Sequence, residues 1–132
     1  MIFQFRQEGS KKMYEITTET HFSAAHRLLN YDGPCENLHG HNWVVKAAVK
    51  CETLDKSGLG IDFKILKQKL KTIIGEFDHR NVNDVFGQKS PSSENIAHYI
   101  YHELVKSLDG CGVSAARVEV QETPGNSAVY YE

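Results

Sequence analysis

From Tyr14 to Phe22 the chain alternates, with Tyr14, Ile16, Thr18, Thr20 and Phe22 on one face and Glu15, Thr17, Glu19 and His21 on the other. A period of two predicts a half-buried strand. A second alternating run begins at His41 and reaches about Glu52, where Trp43, Val45, Ala47 and Val49 share the parity of His39 and His41 and oppose Lys46 and Lys50. The period then lengthens. Asp62 opens a predicted helix whose Phe63, Leu66, Leu70 and Ile73 form one stripe, with Gly75 as its stop and lysines 64, 67, 69 and 71 as a solvated face. Phe77 to Asn83 reads as a polar connection. Ser90-Pro91-Ser92-Ser93-Glu94-Asn95 then carries proline, hydroxyl caps and an acid, predicting a second helix that runs to Leu108 with Ala97, Ile100, Leu104 and Leu108 buried.

After the turn Asp109-Gly110-Cys111-Gly112, Ala116, Val118 and Val120 alternate with Arg117, Glu119 and Gln121 as a third strand. Thr123-Pro124-Gly125-Asn126 predicts a hairpin turn into a last short strand, Ser127 to Tyr131. The order ββααββ points to an α+β unit, a four-stranded antiparallel sheet with two helices on one face. Residues 1–12 show no period and read as an N-terminal extension, leaving 13–132 as one domain.

Composition narrows the class. With 132 residues, 40% of them apolar and 24% charged, the chain matches an ordinary soluble domain able to bury its own core. A formal charge of −2 supplies no electrostatic case for nucleic acid or an anionic membrane. Three cysteines cannot all pair within one chain, and no stretch resembles a signal sequence or membrane span, so a reducing cytoplasm is the expected setting.

The candidate chemistry lies between the first two strands. In Cys35-Glu36-Asn37-Leu38-His39-Gly40-His41, the two histidines leave an extended chain on the same face. His26 ends the first strand and can join them if the strands pair antiparallel. Three readings follow: ordinary satisfied histidines, a closed structural metal site completed by Cys35, and a catalytic metal site of three imidazoles with an open position. The Cys-x3-His-x-His spacing fits no common finger or knuckle. A thiol beside a metal would be held partly as thiolate. His98 and His102 are spaced as a metal pair but lack an intervening glutamate, and read as surface residues.

Five motifs in order, Phe22-Ser23-Ala24-Ala25-His26-Arg27-Leu28, Cys35-x3-His39-Gly40-His41-Asn42, Asp78-His79-x3-Asn83, Ser92-Ser93-Glu94-Asn95-Ile96-Ala97 and Val118-x-Val120-x-Glu122-Thr123, resemble the 6-pyruvoyltetrahydropterin synthase family. The three residues between Cys35 and His39 resemble its queuosine branch, the 6-carboxy-5,6,7,8-tetrahydropterin synthases. Ser92 stands where the family often has threonine.

The resemblance implies a tunnelling fold that assembles into a homo-oligomer, commonly a hexamer of two trimers with sites at subunit contacts. It implies Zn2+ held by His26, His39 and His41, and conversion of 7,8-dihydroneopterin triphosphate to 6-carboxytetrahydropterin, acetaldehyde and triphosphate. Cys35 would be the general base, with Asp78 and His79 completing a catalytic triad. Glu122 would anchor the pterin, because a carboxylate accepts two adjacent N–H donors. Glu94 reads as a helix-start acid or a second pterin contact. Arg27 and the lysines are candidates for the triphosphate, with none singled out by spacing. Other members would make the pyruvoyl product or divert the pterin to folate, and a catalytically silent metal-binding assembly protein is the remaining alternative.

Overall fold

The computed structural model describes residues 12–33 and 37–132. Residues 1–11 of the expected extension, and Cys35 with its two neighbours, therefore lie outside the described residues. In chain order the elements are β1 (Tyr14–His26), β2 (His39–Cys51), α1 (Phe63–Ile74), β3 (Arg80–Asn81), α2 (Val82–Phe86), α3 (Ser93–Ser107), β4 (Ser114–Thr123) and β5 (Asn126–Tyr131). The sheet has five strands in the order β3-β1-β2-β4-β5.

The antiparallel β1–β2 pair has Tyr14 opposite Cys51, Phe22 opposite Trp43 and His26 opposite His39. One parity is apolar and buried: Phe22, Ala24, Trp43, Val45, Ala47, Val49, Val118 and Val120. Both long helices close over that face in a single core, α1 through Leu66, Leu70, Ile73 and Ile74 and α3 through Ile96, Ala97, Ile100 and Leu104. Truncating a fully buried leucine such as Leu66 or Leu70 to alanine costs roughly 2–5 kcal/mol. On the opposite face Lys46 lies 3.6 Å from Glu19 and 3.7 Å from Glu119, a cross-strand ladder left to solvent.

The α+β architecture agrees with the pattern, and four details differ. β3, which runs parallel to β1 at Ala24 and Ala25, adds a fifth strand, and α2 adds a third helix. At two and five residues these elements are too short to show a period. Phe63 is 65% exposed instead of leading the buried stripe. As the first helical residue its side chain leans toward the helix N-terminus, away from the turns that meet the sheet. In β4 the buried residue is Ala115, not Ala116: Ala48 pairs with Arg117 and Val49 with Ala115, so Ala116 is the extra residue of a bulge and the inward parity shifts by one.

Candidate metal centre and its flanking cleft

Antiparallel register brings His26 and His39 together from strands joined by a long connection, and the two-residue period adds His41. His26 is 1% exposed, with its ring centroid 4.7 Å from Trp43, whose indole N–H donates to the Ala24 carbonyl at 3.2 Å. Its Nδ1 lies 2.8 Å from the Pro91 carbonyl, and Nδ1 of His39 lies 2.6 Å from the Asn37 carbonyl. A carbonyl only accepts, so both Nδ1 atoms carry protons and both Nε2 atoms of the neutral rings present lone pairs. These two Nε2 atoms are 3.1 Å apart. Neutral rings of that tautomer cannot hydrogen-bond to each other, so the approach calls for a cation between them.

Glu122 near the end of β4 completes the group. Its Oε1 lies 2.8 Å from His41 Nε2, 3.7 Å from His26 Nε2 and 4.0 Å from His39 Nε2, while the Ser93 hydroxyl donates to Oε2 at 3.3 Å. His41 Nε2 is buried with no hydrogen-bond partner; its approach to Glu122 is close but not aligned as a hydrogen bond. One ligand atom from each of the four residues lies within 4.8 Å of all the others, the one such group of three or more among the described residues. Burial, the largest influence, holds the His26 pKa below its usual 6.5, against the opposing pull of the Pro91 hydrogen bond and the Glu122 charge. Neutral imidazoles with outer-shell carbonyl partners and one carboxylate are the donor set of a transition-metal site.

Asp78 and His79 follow α1. The Asp78 carboxylate accepts the Ser23 N–H at 3.0 Å, and the His79 N–H donates to the Ser23 carbonyl at 2.7 Å. Neighbours on an extended chain point apart, but His79 has φ 58°, and this left-handed bend leaves its Nε2 3.8 Å from Asp78 Oδ1. The His79 side chain is 83% exposed. A cavity of about 500 Å³, lined in part by Ser23, Gly40, His41, Asn42, His79 and Arg80, connects it to the histidine group.

Glu94 is exposed in the first turn of α3. His98 and His102 are half-buried, their rings 4.4 Å apart and both against Tyr130, so the surface reading understated their packing. Sequence reasoning assigned Glu122 to the pterin and missed its place among the histidines. The signal was present, since Val118, Val120 and Glu122 share one parity. It also missed Pro91, Asn37 and Ser93, which act through main-chain carbonyls and a hydroxyl that no pattern marks.

A five-stranded sheet under two long helices, with three imidazoles and a carboxylate converging beside a polar cleft, defines a metal-competent α+β enzyme of the tunnelling fold. The chain matches 6-pyruvoyl tetrahydropterin synthase over residues 15–132 and belongs to that family, as a lyase of pterin metabolism. It is 35% identical over 125 residues to the 6-carboxy-5,6,7,8-tetrahydropterin synthase of Synechocystis sp., covering 90% of this chain and 94% of that one. It is 33% identical over 126 residues to the Bacillus subtilis protein of the same name, covering 89% and 84%. The solved Caenorhabditis elegans 6-pyruvoyl tetrahydropterin synthase superposes with a TM-score of 0.82 at 28% identity, over 92% of this chain and 97% of that one. Among the described residues no helix is long and apolar enough to cross a membrane.

Proposed function

We propose that the chain is a zinc-dependent 6-carboxy-5,6,7,8-tetrahydropterin synthase, converting 7,8-dihydroneopterin triphosphate to 6-carboxytetrahydropterin, acetaldehyde and triphosphate in cytoplasmic queuosine (7-deazaguanine) biosynthesis. The observation that carries it is the convergence of three histidines, two of them with their Nε2 lone pairs turned inward, and one carboxylate beside a cleft that also contains His79. The Synechocystis and Bacillus relatives bearing that enzyme's name, and the Cys35-x3-His39 spacing, support the branch.

His26, His39 and His41 would hold the ion, and Zn2+ bound there would supply Lewis acidity that makes the hydroxyls of the substrate side chain more acidic. Cys35 takes the proton as thiolate. Asp78 orients His79, whose exposed imidazole exchanges protons with solvent. Glu122 accepts the donor edge of the pterin, and its Oε1, 2.8 Å from His41 Nε2, keeps the bound ring next to the histidine group. The chain works as a homo-oligomer, a hexamer of two trimers: β5, paired only with β4, and the Tyr14–Phe22 part of β1, paired only with β2, each leave an outer edge unpaired among the described residues, and edge pairing between copies would cover both.

A pyruvoyl-forming reading is favoured by one observation, 32% identity over 124 residues to a putative 6-pyruvoyl tetrahydrobiopterin synthase of C. elegans. Incubating zinc-loaded protein with 7,8-dihydroneopterin triphosphate separates the two. Carboxytetrahydropterin with acetaldehyde is expected by mass spectrometry. A pyruvoyl product moves the chain to the other branch, and no product from metal-replete protein leaves a silent binder.

A further inference from the structure

The cleft beside His41 combines small residues, Ala24, Ala25 and Gly40, with the side chains of Asn42, Arg80 and Asn81, which carry hydrogen-bond donors. Asn81 Oδ1 accepts the Asn83 N–H at 3.0 Å, so the Asn81 amide is oriented by an unambiguous donor and its NH2 is left over. Asn42 Oδ1 accepts the Ser23 hydroxyl at 2.7 Å, which again leaves an NH2. Both amide oxygens are thus occupied by the protein, and four amide N–H bonds remain. Arg80, exposed on β3, lines the same cavity and is its one lysine or arginine among the described residues. Its guanidinium has no ion pair or hydrogen bond with any described residue. No Asp or Glu is among the cavity's lining residues. Asp78, next to His79, already receives the Ser23 N–H.

A guanidinium and two amide NH2 groups with their oxygens spent form an environment complementary to a chain of phosphate oxygens, which only accept. We propose that Arg80, with the amides of Asn42 and Asn81, forms the subsite for the phosphate chain of the substrate, leading away from the His41 side of the metal group. This rests on the pterin triphosphate reading above, and it replaces Arg27, which does not line the cavity. β3 serves the subsite: two parallel ladder pairs to Ala24 and Ala25 fix the backbone of Arg80 and Asn81 beside the strand that carries His26.

The test uses zinc-loaded wild-type protein and the variants Arg80→Ala and Arg80→Lys, with inorganic tripolyphosphate as probe in titration calorimetry and metal retention checked afterwards. Tripolyphosphate is expected to bind the wild type and to compete with 7,8-dihydroneopterin triphosphate. Losing a charge-assisted pair should weaken both ligands about 10- to 100-fold in Arg80→Ala. The lysine variant should fall between, because it keeps the charge but not the fork. Equal binding by wild type and Arg80→Ala, no binding by either, or an unchanged KM in a folded Arg80→Ala would overturn the subsite while leaving the reaction intact. Arg80-dependent tripolyphosphate binding in a protein that turns over no pterin triphosphate would keep the subsite and overturn the reaction. Should Arg80→Ala fold poorly, the same comparisons are read from Arg80→Lys.

Discussion

The Nε2 atoms of His26 and His39 stand 3.1 Å apart while the Nδ1 atom of each ring is committed to a carbonyl oxygen, of Pro91 and of Asn37. Two opposed lone pairs at that distance are a fault without a cation and an asset with one. Removing the metal with a chelator should therefore lower the thermal midpoint, and restoring zinc at about 100 times its dissociation constant should return about 2.7 kcal/mol. His39→Ala should abolish that response and the bound metal, read by elemental analysis. Wild-type zinc content in the variant would break the ligand assignment.

Glu122 touches His41 through one oxygen and accepts from Ser93 through the other. If it receives the pterin edge, Glu122→Gln should raise KM by roughly 10-fold or more, since a charge-assisted pair becomes a neutral one that also presents an unwanted donor. A wild-type KM with diminished metal affinity would instead make Glu122 a ligand alone.

Cys35→Ala should keep zinc bound and lose nearly all turnover, by about 100-fold or more as expected for removing a general base. Retained activity would take the thiol out of the mechanism.

Asn83 clamps the residue after His26: its Oδ1 accepts the Arg27 N–H at 2.8 Å and its Nδ2 donates to the Arg27 carbonyl at 3.0 Å. Asn83→Ala removes both bonds, and about 1–2 kcal/mol of stability should go with them in urea unfolding. Asn83→Asp keeps the acceptor and should recover part. Identical midpoints for all three proteins would show the clamp to be idle.

His98 is surrounded by His102 on its own helix, Lys89 from the preceding loop, and Tyr130 and Glu132 from the C-terminal end. Desolvation, then His102 and Lys89, push its pKa below 6.5, with Glu132 opposing. The folded state then binds fewer protons than the unfolded one, so this contribution is complete above pH 6.5 and stability falls as pH drops below it. Urea midpoints from pH 7.5 to 5.5 should fall less steeply for His98→Gln than for wild type. Parallel slopes would show that His98 titrates alike in both states.

Periodicity in the chain determined two long strands, both long helices and the inward parity of Trp43, Val45, Val118 and Val120, because each is a local repeat that burial must satisfy. The Asp62 and Ser92 caps were equally local, each accepting a nearby backbone N–H. His39 and His41 were legible as a pair because their separation is the strand period itself. Tertiary structure decided what depends on register and on contacts far apart in sequence. The β1–β2 register set His26 against His39, the β4 bulge brought Ala115 inward, and sheet pairing carried Glu122 to His41 across most of the chain. The carbonyls of Pro91 and Asn37 that select the histidine tautomers, and the amide donors left over at Asn42 and Asn81, belong to the same class. Any residue has a carbonyl and any asparagine two ends, so only the fold determines which of them faces a ligand.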